Sequence, residues 1–304
     1  MSLPQQATVV EVGPRDGFQN EHDLVPTEQK IEIIDALSET GLRRIEATAF
    51  VHPKAIPQLA DAAEVMAKIK RRQGVEYEAL IPNARGMERA IQAGVDAVCL
   101  VVSASESHNM NNVRMSVADS LEGFRKVAEM AHQHGVKVTG GISTAFGCAI
   151  EGWVASEKVV DMAQAFVSMG VQEISLADTA GMGDPALVTD VIQKVRKKTG
   201  DMPLRLHLHN TRGAGLANVF AGLTQGVTVF DGSICGLGGC PFSPGATGNI
   251  ATADLVNMLE SMRIDTGVDL PKLIDCERHV RAILARDLPG QVMKAGATPW
   301  AVTP

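Results

Sequence analysis

Two histidines spaced two residues apart give this 304-residue chain its clearest chemical signal: His207 and His209, in the run Leu204-Arg205-Leu206-His207-Leu208-His209-Asn210. On a β-strand, side chains at i and i+2 share a face. If that face is the functional one, both imidazoles reach one point, as ligands of a divalent cation do; the plainer alternative is a pair of hydrogen-bonded core histidines. Other charged residues stand where apolar runs end. Arg15 and Asp16 lie in Gly13-Pro14-Arg15-Asp16-Gly17-Phe18-Gln19-Asn20, Glu46 interrupts an apolar pattern before Ala47-Thr48-Ala49-Phe50, and Asp178 opens Asp178-Thr179-Ala180-Gly181. An unpaired carboxylate at Glu46 would be costly to bury, and an arginine such as Arg15 is its obvious partner.

Farther along, Gly236-Leu237-Gly238-Gly239-Cys240-Pro241 and Gly245-Ala246-Thr247-Gly248-Asn249 are dense in glycine, as expected of a mobile lid that excludes water. Cys240 is the one cysteine whose context points to exposure and reactivity. Asn249 offers an amide oxygen, a suitable ligand for a hard cation such as Mg²⁺ or Mn²⁺. One carboxylate, two imidazoles and an amide oxygen make a mixed N/O site, unlike the cysteine-rich set of structural zinc. Open positions on such an ion let a substrate chelate through adjacent oxygens, which suits Lewis-acid activation of a hydroxyl beside a carboxylate.

These residues need a scaffold that brings them together. Short apolar runs read as strands at Thr8–Val12, Arg44–Ala49, Tyr77–Ile81, Ala97–Val102, Val136–Ile142, Glu173–Leu176, Leu204–His209 and Val227–Ser233. Helical spacing is expected between them, at Glu28–Glu39, Leu59–Arg72, Gly86–Gln92, Val117–His134, Ser156–Ser168, Pro185–Lys198 and Gly213–Leu223, with another helix at Ile250–Met262. Gly41, Gly94, Gly135, Gly170 and Gly226 fall between a helix and the next strand, where a helix stop with positive φ places glycine. Strands alternating with helices imply parallel pairing and right-handed crossovers. Eight such units close most naturally into an α/β (β/α)8 TIM barrel, whose active site lies at the carboxyl ends of the strands. An open doubly wound sheet is the runner-up, but its dinucleotide fingerprint is missing after the first strand. The whole chain, residues 1–304, reads as one domain: a barrel over about residues 7–262 and a C-terminal helical extension over 263–304.

Composition sets the remaining bounds. With 45% hydrophobic and 21% charged residues the chain is ordinary globular protein, and 4% aromatics leave a core of branched aliphatics. The net charge of −7 and the lack of a basic tract argue against a nucleic-acid partner. No apolar run reaches the roughly 18 residues of a membrane span, and no signal-peptide pattern opens the chain. Five scattered cysteines (Cys99, Cys148, Cys235, Cys240, Cys276) fit a reducing, cytoplasmic setting rather than a disulfide framework.

At these residues the sequence resembles the hydroxymethylglutaryl-CoA lyases, a branch of the metal-dependent TIM-barrel superfamily that also holds isopropylmalate and homocitrate synthases. The matching stretches are VEVGPRDGFQNE at Val10–Glu21, IEATAF at Ile45–Phe50, SASE at Ser103–Glu106, EISLADTAG at Glu173–Gly181, HLHN at His207–Asn210 and GLGGCPFSPGATGN at Gly236–Asn249. The resemblance implies that Asp16, His207, His209 and Asn249 bind the divalent cation. It further implies that Arg15 stabilises an enolate oxygen, that Cys240 moves a proton, and that Glu46 and Asp178 support the site. The reaction implied is retro-Claisen cleavage of a 3-hydroxy-3-methylglutaryl thioester to acetyl-CoA and acetoacetate. An acyl-CoA thioester is then the partner, and a homodimer or higher homo-oligomer is expected, with the helix at Leu270–Arg286 as its candidate contact.

Several positions depart from the lyase pattern. Thr139 and Gly141 stand where the lyases usually carry arginine and tyrosine, and Ala253 where they carry glutamate. Asn210 resembles the synthases, and Ala285-Arg286-Asp287 replaces an Asn-Arg-Lys stretch associated with the CoA end. Glycine at 141 implies a larger, less polar pocket beside the metal, hence an acyl group that is bulkier than that of the simple substrate or differently substituted at C3. Two rival readings are a Claisen-condensing synthase, which would have no use for Cys240, and a catalytically impaired barrel that binds CoA esters without turnover.

Overall fold

The fold was analysed in a computed structural model, which describes residues 3–239 and 248–299. Eight strands form a closed parallel barrel in chain order: β1 Thr8–Glu11, β2 Arg44–Ala49, β3 Glu76–Leu80, β4 Ala97–Ser103, β5 Lys137–Ser143, β6 Glu173–Asp178, β7 Leu204–Leu208 and β8 Val229–Gly232. The TIM-barrel expectation holds, and each expected strand is present within three residues at either end. The helices are α1 Thr27–Ser38, α2 Ala62–Lys68, α3 Ala84–Gln92, α4 Glu106–Val113, α5 Val117–Gln133, α6 Ser156–Ser168, α7 Pro185–Thr199, α8 Gly215–Thr224, α9 Thr252–Ser261, α10 Leu270–Leu284 and α11 Val292–Ala295. Among the described residues, no helix is long and apolar enough to cross a membrane.

Two helices differ from the sequence expectation. The one expected over Leu59–Arg72 is confined to α2, because Ile69 turns to an extended conformation (φ −60°, ψ 143°). Helix α4 was not foreseen. Ser105 caps it by accepting from the His108 N–H, and Glu106 supplies a carboxylate to its first turn. Gly41, Gly94, Gly135, Gly170 and Gly226 all take φ between +67° and +89°, as expected of helix stops.

Branched aliphatics do fill the layer between strands and helices, where Ile33, Ile34, Leu37 and Val159 are buried, joined by the aromatic Phe166. The barrel lumen is different: it is ionic. Arg44 of β2 reaches across to β6, with Nη1 and Nη2 each 2.9 Å from a Glu173 carboxylate oxygen, and its Nε lies 2.5 Å from Glu78 of β3. Arg205 of β7 donates to the other Glu78 oxygen at 2.8 Å and to Asp231 of β8. Thr139 Oγ1 donates to Glu173 at 3.2 Å. Strands on opposite sides of a barrel meet only through its centre, so these groups plug the lumen. Buried cations and anions survive there because each has charged, hydrogen-bonded partners.

Candidate active site

The site is assembled from loops at the carboxyl ends of the strands. Beyond β1 the chain makes a wide helical turn over Gly13–Gly17 that carries Arg15 and Asp16. The buried carboxylate of Glu11 anchors this turn, accepting from Gly13 N–H at 2.7 Å, Ile234 N–H at 2.8 Å and Thr252 Oγ1 at 2.6 Å. A Cβ at Gly13 would stand 2.6 Å from Ile234 Cγ2 and 2.7 Å from that carboxylate, so only glycine fits. Burial pushes the Glu11 carboxyl up to about 7, against the pull of these hydrogen bonds.

Asp16 is shared by three donors. Its Oδ1 accepts from Arg15 Nη1 at 2.6 Å and Gln19 Nε2 at 2.7 Å, and its Oδ2 accepts from Asn249 Nδ2 at 2.6 Å. Burial alone would raise this carboxyl, yet Arg15 and the two nearby imidazoles hold it down at about 2. Arg15 also pairs with Glu46, its Nε and Nη2 each 2.7 Å from Oε2, as the apolar setting of Glu46 led one to expect. Glu46 Oε1 is buried without a partner among the described residues, and desolvation raises its carboxyl above the usual range.

The two histidines do converge. His207 Nε2 lies 3.1 Å from His209 Nε2 and 3.9 Å from Asp16 Oδ2. One ligand atom from each of Asp16, His207 and His209 falls within 4.8 Å of the others. The far side of the His207 ring is tied down: Nδ1 lies 2.8 Å from Asp231 Oδ2, and Arg205 holds the other Asp231 oxygen. That contact keeps the proton on Nδ1 and leaves the Nε2 lone pair facing Asp16 and His209, as metal-ligating histidines require. Burial opposes protonation of His207, but the Asp231 hydrogen bond and charge raise its pKa. Burial and the neighbouring ring push His209 down to about 4, so the ring is neutral near neutral pH with one nitrogen lone pair free.

Asn249 is delivered by backbone pairing. Residues 248–252 run between the tips of β7 and β8: Asn210 N–H donates to Gly248 O, Ser233 N–H to Ile250 O and Thr252 N–H to Ser233 O. Asn249 thereby faces His209. Its Nδ2 is taken by Asp16 and by Leu237 O at 2.9 Å, while its Oδ1 is buried without a partner among the described residues. Two imidazole nitrogens in contact, a carboxylate and an orphaned amide oxygen suit a divalent cation, which would separate the nitrogens and satisfy the oxygen.

Asp178 reaches the same rim, but its oxygens accept from Met182 N–H at 2.9 Å and Gly183 N–H at 3.0 Å, so its visible work is to shape the loop after β6. Cys240 lies outside the described residues. Cys99, Cys148 and Cys235 are buried, which settles the last two as interior thiols. Cys99 stands on the lumen side rather than in an apolar core, near enough to Glu46 and Arg205 for their charges to act on it. Arg286, from the altered C-terminal stretch, pairs with Glu21 at 2.5 Å. Sequence reasoning passed over Glu11, Arg205 and Asp231. Each is a charge inside an apolar strand, the very signal that singled out Glu46.

A closed parallel barrel with a carboxylate, two imidazoles and an amide gathered at its carboxyl-end mouth defines a TIM-barrel protein with a candidate divalent-metal site. Comparison with known proteins narrows the class. The HMGL-like family model matches residues 6–280, and the chain belongs to that family. It is 44% identical over 291 residues to hydroxymethylglutaryl-CoA lyase YngG of Bacillus subtilis, covering 96% of this chain and 97% of that one. It is 43% identical over 295 residues to the 3-hydroxy-3-isohexenylglutaryl-CoA/hydroxy-methylglutaryl-CoA lyase of Pseudomonas aeruginosa, covering 97% and 98%. Among solved structures, an HMG-CoA lyase from Acinetobacter baumannii in complex with coenzyme A and 3-methylmalate superimposes with a TM-score of 0.94 at 43% identity, covering 98% of each chain.

Proposed function

We propose that this protein is a divalent-metal-dependent carbon–carbon lyase that cleaves 3-hydroxy-3-methylglutaryl-CoA, or a close 3-hydroxyacyl-CoA analogue, to acetyl-CoA and a 3-oxo acid. The observation that carries the reading is the meeting of Asp16, His207 and His209 at the barrel mouth with Arg15 hydrogen-bonded to the same carboxylate. Asp16, His207, His209 and Asn249 would hold the cation, Mg²⁺ or Mn²⁺. When bound, it would lower the pKa of a hydroxyl beside it.

The chain's own groups account for the rest. Arg15 is locked between Glu46 and Asp16, so its guanidinium is a preorganised positive charge for the thioester enolate that forms as the carbon–carbon bond breaks. Glu46 fixes the Arg15 plane, and Asp178 holds the loop after β6. Cys240 would return a proton to the enolate carbon from the glycine-rich loop. The condensing alternative is not favoured, since the relatives at 43–44% identity are lyases.

The acyl pocket is read from the wall facing the metal ligands. Val101, Gly141 and Ser175 are in register on β4, β5 and β6 with Arg205, one layer below His207, which pairs with Ala177. A Cβ at Gly141 would lie 3.0 Å from Val101 Cγ2 and 3.4 Å from Cys99 Sγ, so Val101 takes part of the room and a larger side chain would have to project into the lumen. This wall suits a C3 substituent larger than methyl, and the Pseudomonas relative, named for an isohexenyl and a methyl substrate, supports that reading. Acetyl-CoA release from a panel of 3-hydroxyacyl-CoA esters, with and without chelator, tests both parts. Metal-dependent release is expected; none from any ester would overturn the lyase reading, and release confined to the methyl ester would overturn the wider pocket.

A further inference from the structure

Helix α10 lies outside the barrel, yet one of its side chains grips the two stems of the segment that delivers Asn249. Glu277 is fully buried. Its Oε1 accepts from Cys235 N–H at 3.0 Å and from Ala253 N–H at 3.1 Å. Its Oε2 is buried with no partner among the described residues. Cys235 is where the chain leaves the end of β8 for the glycine-rich run, and Ala253 is where it enters α9. Glu11 holds the residues next door, accepting from Ile234 N–H and Thr252 Oγ1. One carboxyl from β1 and one from α10 thus clasp consecutive residues on both stems.

The outgoing stem is bent at the clasp. Cys235 adopts φ +59° and ψ 5°, a left-handed conformation that a residue with a Cβ keeps only when its surroundings over-determine it. Three contacts do so: its N–H to Glu277 Oε1, its Sγ to Glu277 O at 3.1 Å, and Gly290 N–H to its carbonyl at 3.0 Å. A half-satisfied buried carboxyl is a poor way to fill space. What it offers that an aliphatic side chain lacks is a single acceptor shared by two N–H groups from separate stems.

We infer that Glu277 is a positioning residue for the metal site: by joining Cys235 to Ala253 it sets the spacing of the two stems and so holds Asn249 against Asp16. The inference rests on the metal-site reading above. Its test therefore follows Mn²⁺ binding by electron paramagnetic resonance alongside turnover, in the full-length protein. Glu277→Ala is expected to weaken Mn²⁺ affinity and lower kcat by about tenfold each, in the range seen when groups that orient ligands are lost, with KM for the thioester little changed. Glu277→Gln, which keeps the shared acceptor, is expected to stay near the parent in both. If Glu277→Ala does not fold, Glu277→Asp, which draws the carboxyl back by one methylene, gives the same reading. A folded Ala or Asp variant with parental Mn²⁺ affinity would overturn the inference, as would equal losses in the Gln and Ala variants. A parent that binds no Mn²⁺ would overturn it together with the metal site. A parent that binds Mn²⁺ but cleaves no ester would overturn only the lyase reading, the Mn²⁺ affinities still deciding the clasp.

Discussion

From β7 round through β8 and β1 to β2, the barrel mouth is crowded with charge, and its carboxylates are shared between donors. Asp16 serves Arg15, Gln19 and Asn249, and Asp231 serves Arg205 and His207. From β4 to β6 the side chains are small: Ser103, Ser143 and Ala177 stand level with His207, and Val101, Gly141 and Ser175 one layer below, level with Arg205. Shared carboxylates couple their donors, so a change at one position on the first side is felt at several. Positions on the second side have few polar ties and can vary singly. Bond-breaking is thus assigned to the coupled half and acyl selection to the independent half.

The sharpest way to break that division is to remove a shared group. Arg15→Met is expected to lower kcat by about 10²- to 10³-fold, the usual cost of losing a preorganised charge at a developing oxyanion, with a smaller change in KM; steady-state kinetics with a saturating cation would show it. Asp231→Asn should follow, with about 10- to 100-fold weaker Mn²⁺ binding through a misoriented His207, read by metal titration. On the other side, Gly141→Tyr should leave the methyl substrate within a few-fold. Esters with longer C3 chains should lose about 10-fold or more in kcat/KM, since each methylene matched to a pocket is worth roughly that much. Equal losses for short and long esters would join the two halves that the geometry separates.

The smallest change is expected in stability rather than turnover. Burial pushes Glu277 up to about 8 from an ordinary value of 4.5. The folded chain then keeps a proton that the unfolded chain releases, so the contribution is complete below pH 4.5 and is lost as pH rises toward 8. The slope is at most about 1.4 kcal/mol per pH unit. Urea titrations at several pH values should show a shallower slope in Glu277→Gln than in the parent, the part due to Glu11 remaining.

Much of the scaffold was legible because its signals are local. The apolar runs, the glycines at helix ends and the i, i+2 histidines each depend on a few neighbouring residues. Glu46 was legible for the same reason, as a charge where none should be buried, and its pairing with Arg15 follows from that cost. Asp231 and Glu11 carry the same signal, but each lies in a strand flanked by more conspicuous motifs. Glu277 carries none: on α10 it looks like one more charge on a charged helix, and only the approach of α10 to the β8 stem makes it interior. Helix α4 was hidden because Ser103–Glu106 reads as a motif, while its start depends on the Ser105 cap.

The ionic plug of Arg44, Glu78, Glu173 and Arg205 has a consequence for traffic. With those side chains buried and interlocked across the cylinder, nothing passes through the floor. Whatever enters at the carboxyl-end mouth, and whatever is made from it, therefore shares a single doorway.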